Sequence, residues 1–203
     1  MDGAAFPTMP EARIGPNAIT QLVAILDQVE GRRQRDAVMA LAAVSVPDPA
    51  KGMIPEGEAA AVHLALRRIA PDRAEALLRL AGLATGSYIL RHRIPPLAQA
   101  LIRALPSALG ARALTAAISR HSWTFAGSGR FRVTARHPLT FEVAANPLVA
   151  HERAAHPICH WHSAVFERLF SELVWPDCTV RELACCAMGH PACRFQILPH
   201  GQV

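Results

Sequence analysis

No run of eighteen apolar residues occurs in the 203-residue chain, so the sequence offers no helix of the length needed to cross a bilayer. The first residues, Met1 to Pro10, carry Asp2, Pro7 and Pro10 where a secretory leader has a basic start and an apolar stretch. These absences predict a cytoplasmic protein, at most in peripheral contact with a membrane. No cysteine precedes Cys159; all five (Cys159, Cys178, Cys185, Cys186 and Cys193) lie in the last quarter. An odd, clustered set without a leader argues against a disulfide framework and for metal binding. The plain alternative is a group of small thiols buried in a core. Basic blocks are also scarce: the net charge is +5, yet apart from Arg32, Arg33 and Arg35 the basic residues are spread along the chain. That dispersal argues against a nucleic-acid partner. With 51% hydrophobic residues disorder is excluded, and one compact domain with an N-terminal extension is expected.

The pattern predicts helices first. Asn17 can cap a helix to about Glu30, with Ile19, Leu22, Val23 and Leu26 on one face. A second helix runs from Asp36 to about Val44, and the turn-rich segment Pro47 to Gly57 reads as a linker, giving an extension over residues 1–57 and a domain over 58–203. Helices are expected over Glu58 to Ile69, Pro71 to His92, Pro96 to Leu105 and Ser107 to Ser119. Gly82 and Gly86 leave a narrow strip on one of them, suited to close helix packing. From Trp123 the period becomes two, predicting a three-stranded meander through Phe125, Phe131 and Val133, then Leu139, Phe141 and Val143. Cys159 to Leu173 returns to helical spacing, and Thr179 to Ala187 with Cys193 to Leu198 form a closing hairpin about Gly189. The fold class is α+β: N-terminal helices, then a mainly antiparallel sheet with a packed helix.

Equal distances from the Gly189 turn set Cys185 opposite Cys193 on one face, and Cys159, at the start of the preceding helix, can reach the same point. Three thiolates at that spacing suit one zinc ion. The fourth ligand stays open on geometry among Glu182, Cys186, His160, His162 and His190, because in a regular strand Glu182 and Cys185 point to opposite faces. Glu182 would need a bulge.

The pattern Cys159, Glu182, Cys185, Cys193, followed by Arg194-Phe195, resembles the 4-vinyl-reductase domain, found also in aromatic-sensing transcription activators. In those sensors the matching positions hold a structural zinc, so the resemblance implies Cys159, Glu182, Cys185 and Cys193 as the metal ligands. It covers about Ala76 to Leu198. Over the whole length, including Ala12 to Thr20 and Cys159 to Phe170, the chain resembles a family of small bacteriochlorophyll-biosynthesis proteins of purple photosynthetic bacteria. That family was named for reduction of a tetrapyrrole vinyl group and has also been viewed as an accessory that holds magnesium porphyrins.

Reduction of a vinyl group needs a hydride donor. The one Gly-rich candidate, Gly127-Ser128-Gly129, reads as a hairpin turn rather than a dinucleotide loop. A zinc ligated fully by protein has no open position, which assigns it a structural role. The expected function is therefore a carrier that binds and hands on a magnesium porphyrin or divinyl chlorophyllide-type ligand, with vinyl reductase and ligand-sensing module as alternatives. His160, Trp161 and His162, beside Cys159, are the first tetrapyrrole contacts to examine, although helix packing accounts for them equally well. His121 beside Trp123 is a second candidate, and Arg130, Arg132 and Arg136, placed by alternation on one strand face, could meet propionate carboxylates. The partners implied are the tetrapyrrole, subunits of magnesium chelatase or methyltransferase, and a second copy in a homodimer.

Overall fold

The computed structural model describes residues 11–201, so the Pro-rich start read above lies almost wholly outside the described residues. Among these, β1 (Arg13–Ile14) leads into α1 (Asn17–Val29) and α2 (Arg32–Ala42), and β2 (Ile54–Pro55) leads into α3 (Glu56–Ile69) and the long α4 (Pro71–His92). The hairpin α5 (Pro96–Ala104) and α6 (Ser107–Arg120) and the short α7 (Trp123–Ala126) complete the helical part before the sheet. Strands β3 (Arg130–Arg136) and β4 (Leu139–Ala144) are followed by α8 (His160–Leu173), β5 (Thr179–Ala184) and β6 (Ala192–Leu198). The four strands pair antiparallel in the order β3-β4-β6-β5. The chain is thus α+β, as its patterning predicts.

The segment read as a linker contributes structure: Ile54 and Pro55 pair with Ile14 and Arg13. The expected strand at Trp123 is instead a helical turn. Ala126 N–H reaches the Ser122 carbonyl at 2.8 Å, and Gly127, at φ 54°, ends the turn. Four residues with aromatics two apart fit either period, and here Phe125 turns inward onto Phe131 and Phe166 while Trp123 stays 57% exposed. The meander therefore has two strands, and the Gly127 to Gly129 turn joins a helix to a strand.

Helix α8 lies between α4 and the sheet. On the α4 side the glycines set the distance: a Cβ on Gly82 would overlap the Trp161 carbonyl oxygen and stand 2.7 Å from Ala164 Cβ, and one on Gly86 would stand 2.6 Å from Arg168 Cβ. Their sequence strip is thus a close helix contact. On the sheet side Phe166 and Phe170 meet Phe141 at 5.2 and 5.8 Å between ring centres, and Phe195 meets Phe166 at 5.5 Å. These rings are fully buried and pin α8 over β4 and β6. Helix α1 packs on α4 through Ile19, Leu22 and Leu26, so the N-terminal helices share the same apolar core.

Candidate metal centre

Strand β6 and its neighbours carry the chemistry. Val143 pairs with Cys193, and Ala184 with Arg194, so the next step along the hairpin brings Cys185 opposite Cys193. The chain turns between them through a single 3-10 turn over Cys186–Met188, closed by Gly189 at φ 88°, a conformation that favours glycine. Cys159 is the residue before α8, and the aromatic packing of that helix delivers it to the same point. The register of β5 shifts between Glu182 and Ala184. This bulge places Leu183 outward, 46% exposed, and lets Glu182 and Cys185 share the inner side.

The result is a group of four ligand atoms, from Cys159, Glu182, Cys185 and Cys193, all within 4.8 Å of one another. The sulfur atoms are 3.7 Å (Cys159 to Cys185), 3.2 Å (Cys159 to Cys193) and 3.9 Å (Cys185 to Cys193) apart. A tetrahedral ion with metal–sulfur bonds of about 2.3 Å separates its sulfur ligands by about 3.8 Å. Glu182 Oε2 accepts a hydrogen bond from the Cys159 backbone N–H at 2.8 Å, while its Oε1 is buried and has no hydrogen-bond partner. A buried carboxylate oxygen without a partner beside three buried thiols is costly unless a cation completes it. The arrangement can hold a metal ion.

The titration behaviour has the same cause. Without a cation, burial first and the Cys185 thiolate second push the Glu182 carboxyl up to about 8. Hydrogen bonds from Cys159 and Cys193 pull the Cys185 thiol down, whereas burial pushes Cys159 up and the hydrogen bond with Cys159 pushes Cys193 up. A divalent ion removes the conflict by favouring every ionised ligand.

Asn146 is a site residue that sequence reasoning passed over. It is fully buried, its Nδ2 lies 3.5 Å from Cys159 Sγ and 3.4 Å from Cys193 Sγ, and its Oδ1 accepts from Leu148 N–H at 3.2 Å. The amide thus orients two of the sulfurs, as outer-shell donors do. The Cys186 backbone N–H also donates to Cys193 Sγ, at 3.3 Å. Cys178 stands apart, bonded to Ser171 and to the Glu167 carbonyl, with its thiol pushed up to about 11 by burial. Among the described residues Cys186, His160, His162 and His190 are not in the ligand group.

The expected tetrapyrrole contacts fall differently. Trp161 is 5% exposed and donates Nε1–H to Thr85 Oγ1 at 3.2 Å; His162 is 2% exposed and sits among Phe125, Phe166 and Phe195. Both are core side chains turned inward by the helix period, and neither offers a ring face to a ligand in this conformation. His160 is half-buried, with Nδ1 3.8 Å from Glu75 Oε1 and its basicity lowered mainly by burial. An open cleft of about 650 Å³ lies elsewhere, lined by Ser122, Trp123, Ala126, Arg130, Phe131 and Arg132 among others. Arg130 and Arg132 share a face, but the register shift between Val133 and Ala135 sets Arg136 opposite Leu139, on the other face. The Gly127 to Gly129 turn holds a carboxylate of the chain itself: Glu56 accepts from Ser128 N–H at 2.7 Å and Ser128 Oγ–H at 2.6 Å.

Known proteins agree with this architecture. The family model of the 4-vinyl-reductase domain matches residues 139–199, the segment holding all four ligands. By overall fold the chain resembles the phenol-responsive sensory domain of the transcription activator PoxR (TM-score 0.55, 18% identity, 85% of this chain and 92% of that one). It also resembles the Fe(II) unliganded H-NOX protein from K. algicida (TM-score 0.56, 12% identity, 91% of this chain and 96% of that one). In sequence it is 60% identical over 190 residues to the bacteriochlorophyll synthase 23 kDa chain of Cereibacter sphaeroides, covering 94% of this chain and 92% of the relative. To the protein of the same name from Rhodobacter capsulatus it is 55% identical over 203 residues, covering 100% and 95%. On this identity along nearly the whole of both relatives, the chain belongs to the bacteriochlorophyll synthase 23 kDa chain family.

Proposed function

We propose that this protein acts in bacteriochlorophyll biosynthesis as a carrier that binds a magnesium porphyrin or divinyl tetrapyrrole and hands it on, and that its cysteine cluster holds one structural zinc. The pathway rests on the relatives' name and on the extent of the match. For zinc, the support is the donor set: three thiolates and one carboxylate in a closed, buried group suit a four-coordinate ion with no exchangeable position. That ion fixes the α8 start and the closing hairpin and takes no part in chemistry.

The binding site is carried by one observation, the cleft between α7 and β3. Its volume is in the range of small-molecule sites. Trp123 offers an exposed indole to an aromatic ring face, and Arg130 and Arg132 offer guanidinium groups to carboxylates. His121, next to Ser122, is exposed and uses only Nδ1 in a bond to the Ala117 carbonyl at 2.9 Å, leaving Nε2 toward solvent for a metal or a ring substituent. Subunits of magnesium chelatase or of a methyltransferase are the inferred recipients.

The carrier reading is tested by adding magnesium protoporphyrin to the purified chain. Binding is expected to shift the Soret band and quench tryptophan fluorescence, and Trp123→Ala with Arg132→Gln is expected to weaken it at least tenfold. The vinyl groups stay intact when NADPH is added. Conversion to the monovinyl pigment by this chain alone would establish a reductase instead, and no spectral change would remove the carrier.

A further inference from the structure

The α5–α6 hairpin presents its apolar residues to solvent. None of the nine residues of α5 is buried. At the helical period Leu97, Leu101, Ala104 and Leu105 form one stripe, and Gln99 with Ile102 lie on the other side. It is that other side that touches the body: Gln99 Nε2 donates to the Leu90 carbonyl at 2.6 Å and the Ile94 carbonyl at 2.9 Å, and a Cβ on Gly110 would meet the Ile102 carbonyl at 3.1 Å. The stripe faces outward, with Leu97 73%, Leu101 61%, Leu105 41% and Leu109 47% exposed. A surface helix ordinarily turns that stripe to the core. Its reversal marks a surface that meets apolar material.

Charge points to the kind of material. Between Ala76 and Phe141 the sequence contains nine arginines and neither aspartate nor glutamate. Arg91 and Arg93 stand just before α5 and Arg112 lies in α6; all three are exposed, and none forms an ion pair among the described residues. Leucines that project singly, bordered by cations without carboxylates, suit a fluid interface that needs no matching shape. The same sign of charge is drawn to anionic headgroups. Neither of the two clefts described on this molecule includes the stripe, so it is no groove for a peptide.

We propose that the α5–α6 hairpin is a membrane-docking surface, which lays Leu97, Leu101, Leu105 and Leu109 into the headgroup boundary of an anionic bilayer with Arg91, Arg93 and Arg112 against the lipid charges. The protein lies on such a membrane and does not span it; among the described residues no helix is long and apolar enough to cross one. This surface is independent of any tetrapyrrole.

The test is flotation of the full chain with vesicles of phosphatidylcholine alone and of an equal mixture with phosphatidylglycerol, without pigment. Binding is expected to the anionic vesicles and to fall as salt is raised. The pair Leu97→Ser with Leu101→Ser should lower partitioning by about tenfold or more. Replacing Arg91, Arg93 and Arg112 by glutamine should lower it about fivefold for each charge removed. Unchanged melting temperatures would show that these variants remain folded. Failure of the natural chain to float with anionic vesicles overturns the proposal, as does equal binding by the leucine pair. A concentration-dependent dimer broken by the same leucine variants, with no vesicle binding, would make the face a contact between copies and also overturn it.

Discussion

Helices α4 and α5 follow one another in the chain and place their small and apolar residues in opposite ways. In α4, Leu77, Leu78 and Ala81 are buried, and Gly82 and Gly86 let α8 approach until backbone meets side chain. In α5 the leucines face outward, and a glutamine makes the inward hydrogen bonds. Both helices are rich in leucine and alanine, so residue content alone does not decide what is core. The partner surface decides it: α8 arrives with Trp161, Ala164 and Val165, whereas α5 is met mainly by the carbonyl ends of α4. The α4–α8 side therefore carries stability, and the hairpin is spared for contact with something else.

The contrast is sharpened most by removing the metal cluster. Cys193→Ser should lower the melting temperature strongly and reduce bound zinc from about one ion per chain, because a structural zinc supplies on the order of 10 kcal/mol in small isolated sites, and a fraction of that in a chain with its own core. Metal analysis with calorimetry reads both quantities. Glu182→Gln should reduce zinc retention more than His190→Gln does; the reverse order would show that the carboxylate is not a ligand.

Next in size is Gly82→Ala. The added methyl would overlap the Trp161 carbonyl and Ala164 Cβ, and overpacking of this kind costs about 3 kcal/mol. A shift in the urea midpoint below a quarter of that would mean that α8 can slide, against the close-packed account.

A somewhat smaller effect comes from acid, again on the packed side. His63 is 2% exposed and bonds through Nε2 to the Ala18 carbonyl at 3.0 Å. Burial first and the Arg67 charge second hold its pKa down to about 3, against about 6.5 in an unfolded chain. Between those values the unfolded chain binds a proton that the folded chain does not. Its contribution is therefore complete above about pH 6.5 and falls as the pH is lowered toward 3, by about 1.4 kcal/mol per pH unit. Urea melts between pH 7 and pH 5 should show a slope that His63→Gln flattens by about one proton, and an unchanged slope would place the titration elsewhere.

The smallest effect belongs to the outward-facing helix. Leu101→Ser should change the urea midpoint by less than about 0.5 kcal/mol, as exposed positions do. A large loss there would erase the difference between the two regions.

Sequence patterning reached much of this arrangement where the signal was long or tied to a turn. The helices α4 and α8 have many turns of consistent period, and Cys185 and Cys193 are related by counting outward from Gly189. Short signals failed. Trp123 to Ala126 spans four residues, too few to separate a period of two from one of 3.6. The bulges at Leu183 and Thr134 depend on pairing with β6 and β4, so neither the inward turn of Glu182 nor the loss of Arg136 from the Arg130 face follows from alternation. Asn146, next to Pro147, reads as an ordinary turn residue; its contact with two sulfurs exists only once β4, α8 and β6 have met. Trp161 and His162 belong to the α8 face that α4 and the sheet enclose together, and a single helix cannot reveal that it will be covered on two sides.

The two bulges also bear on how copies of this protein can meet. Strands β3 and β5 are the outer members of the four-stranded sheet, and an outer strand is a template on which a foreign strand can zip. Each is interrupted by a register shift, and each carries exposed arginine, Arg130 and Arg132 on one and Arg181 on the other. A continuing ladder would have to skip a residue and bring like charges together at either border. Sheet extension and fibril-type stacking are thereby disfavoured, and any self-association of the folded chain is left to its helices.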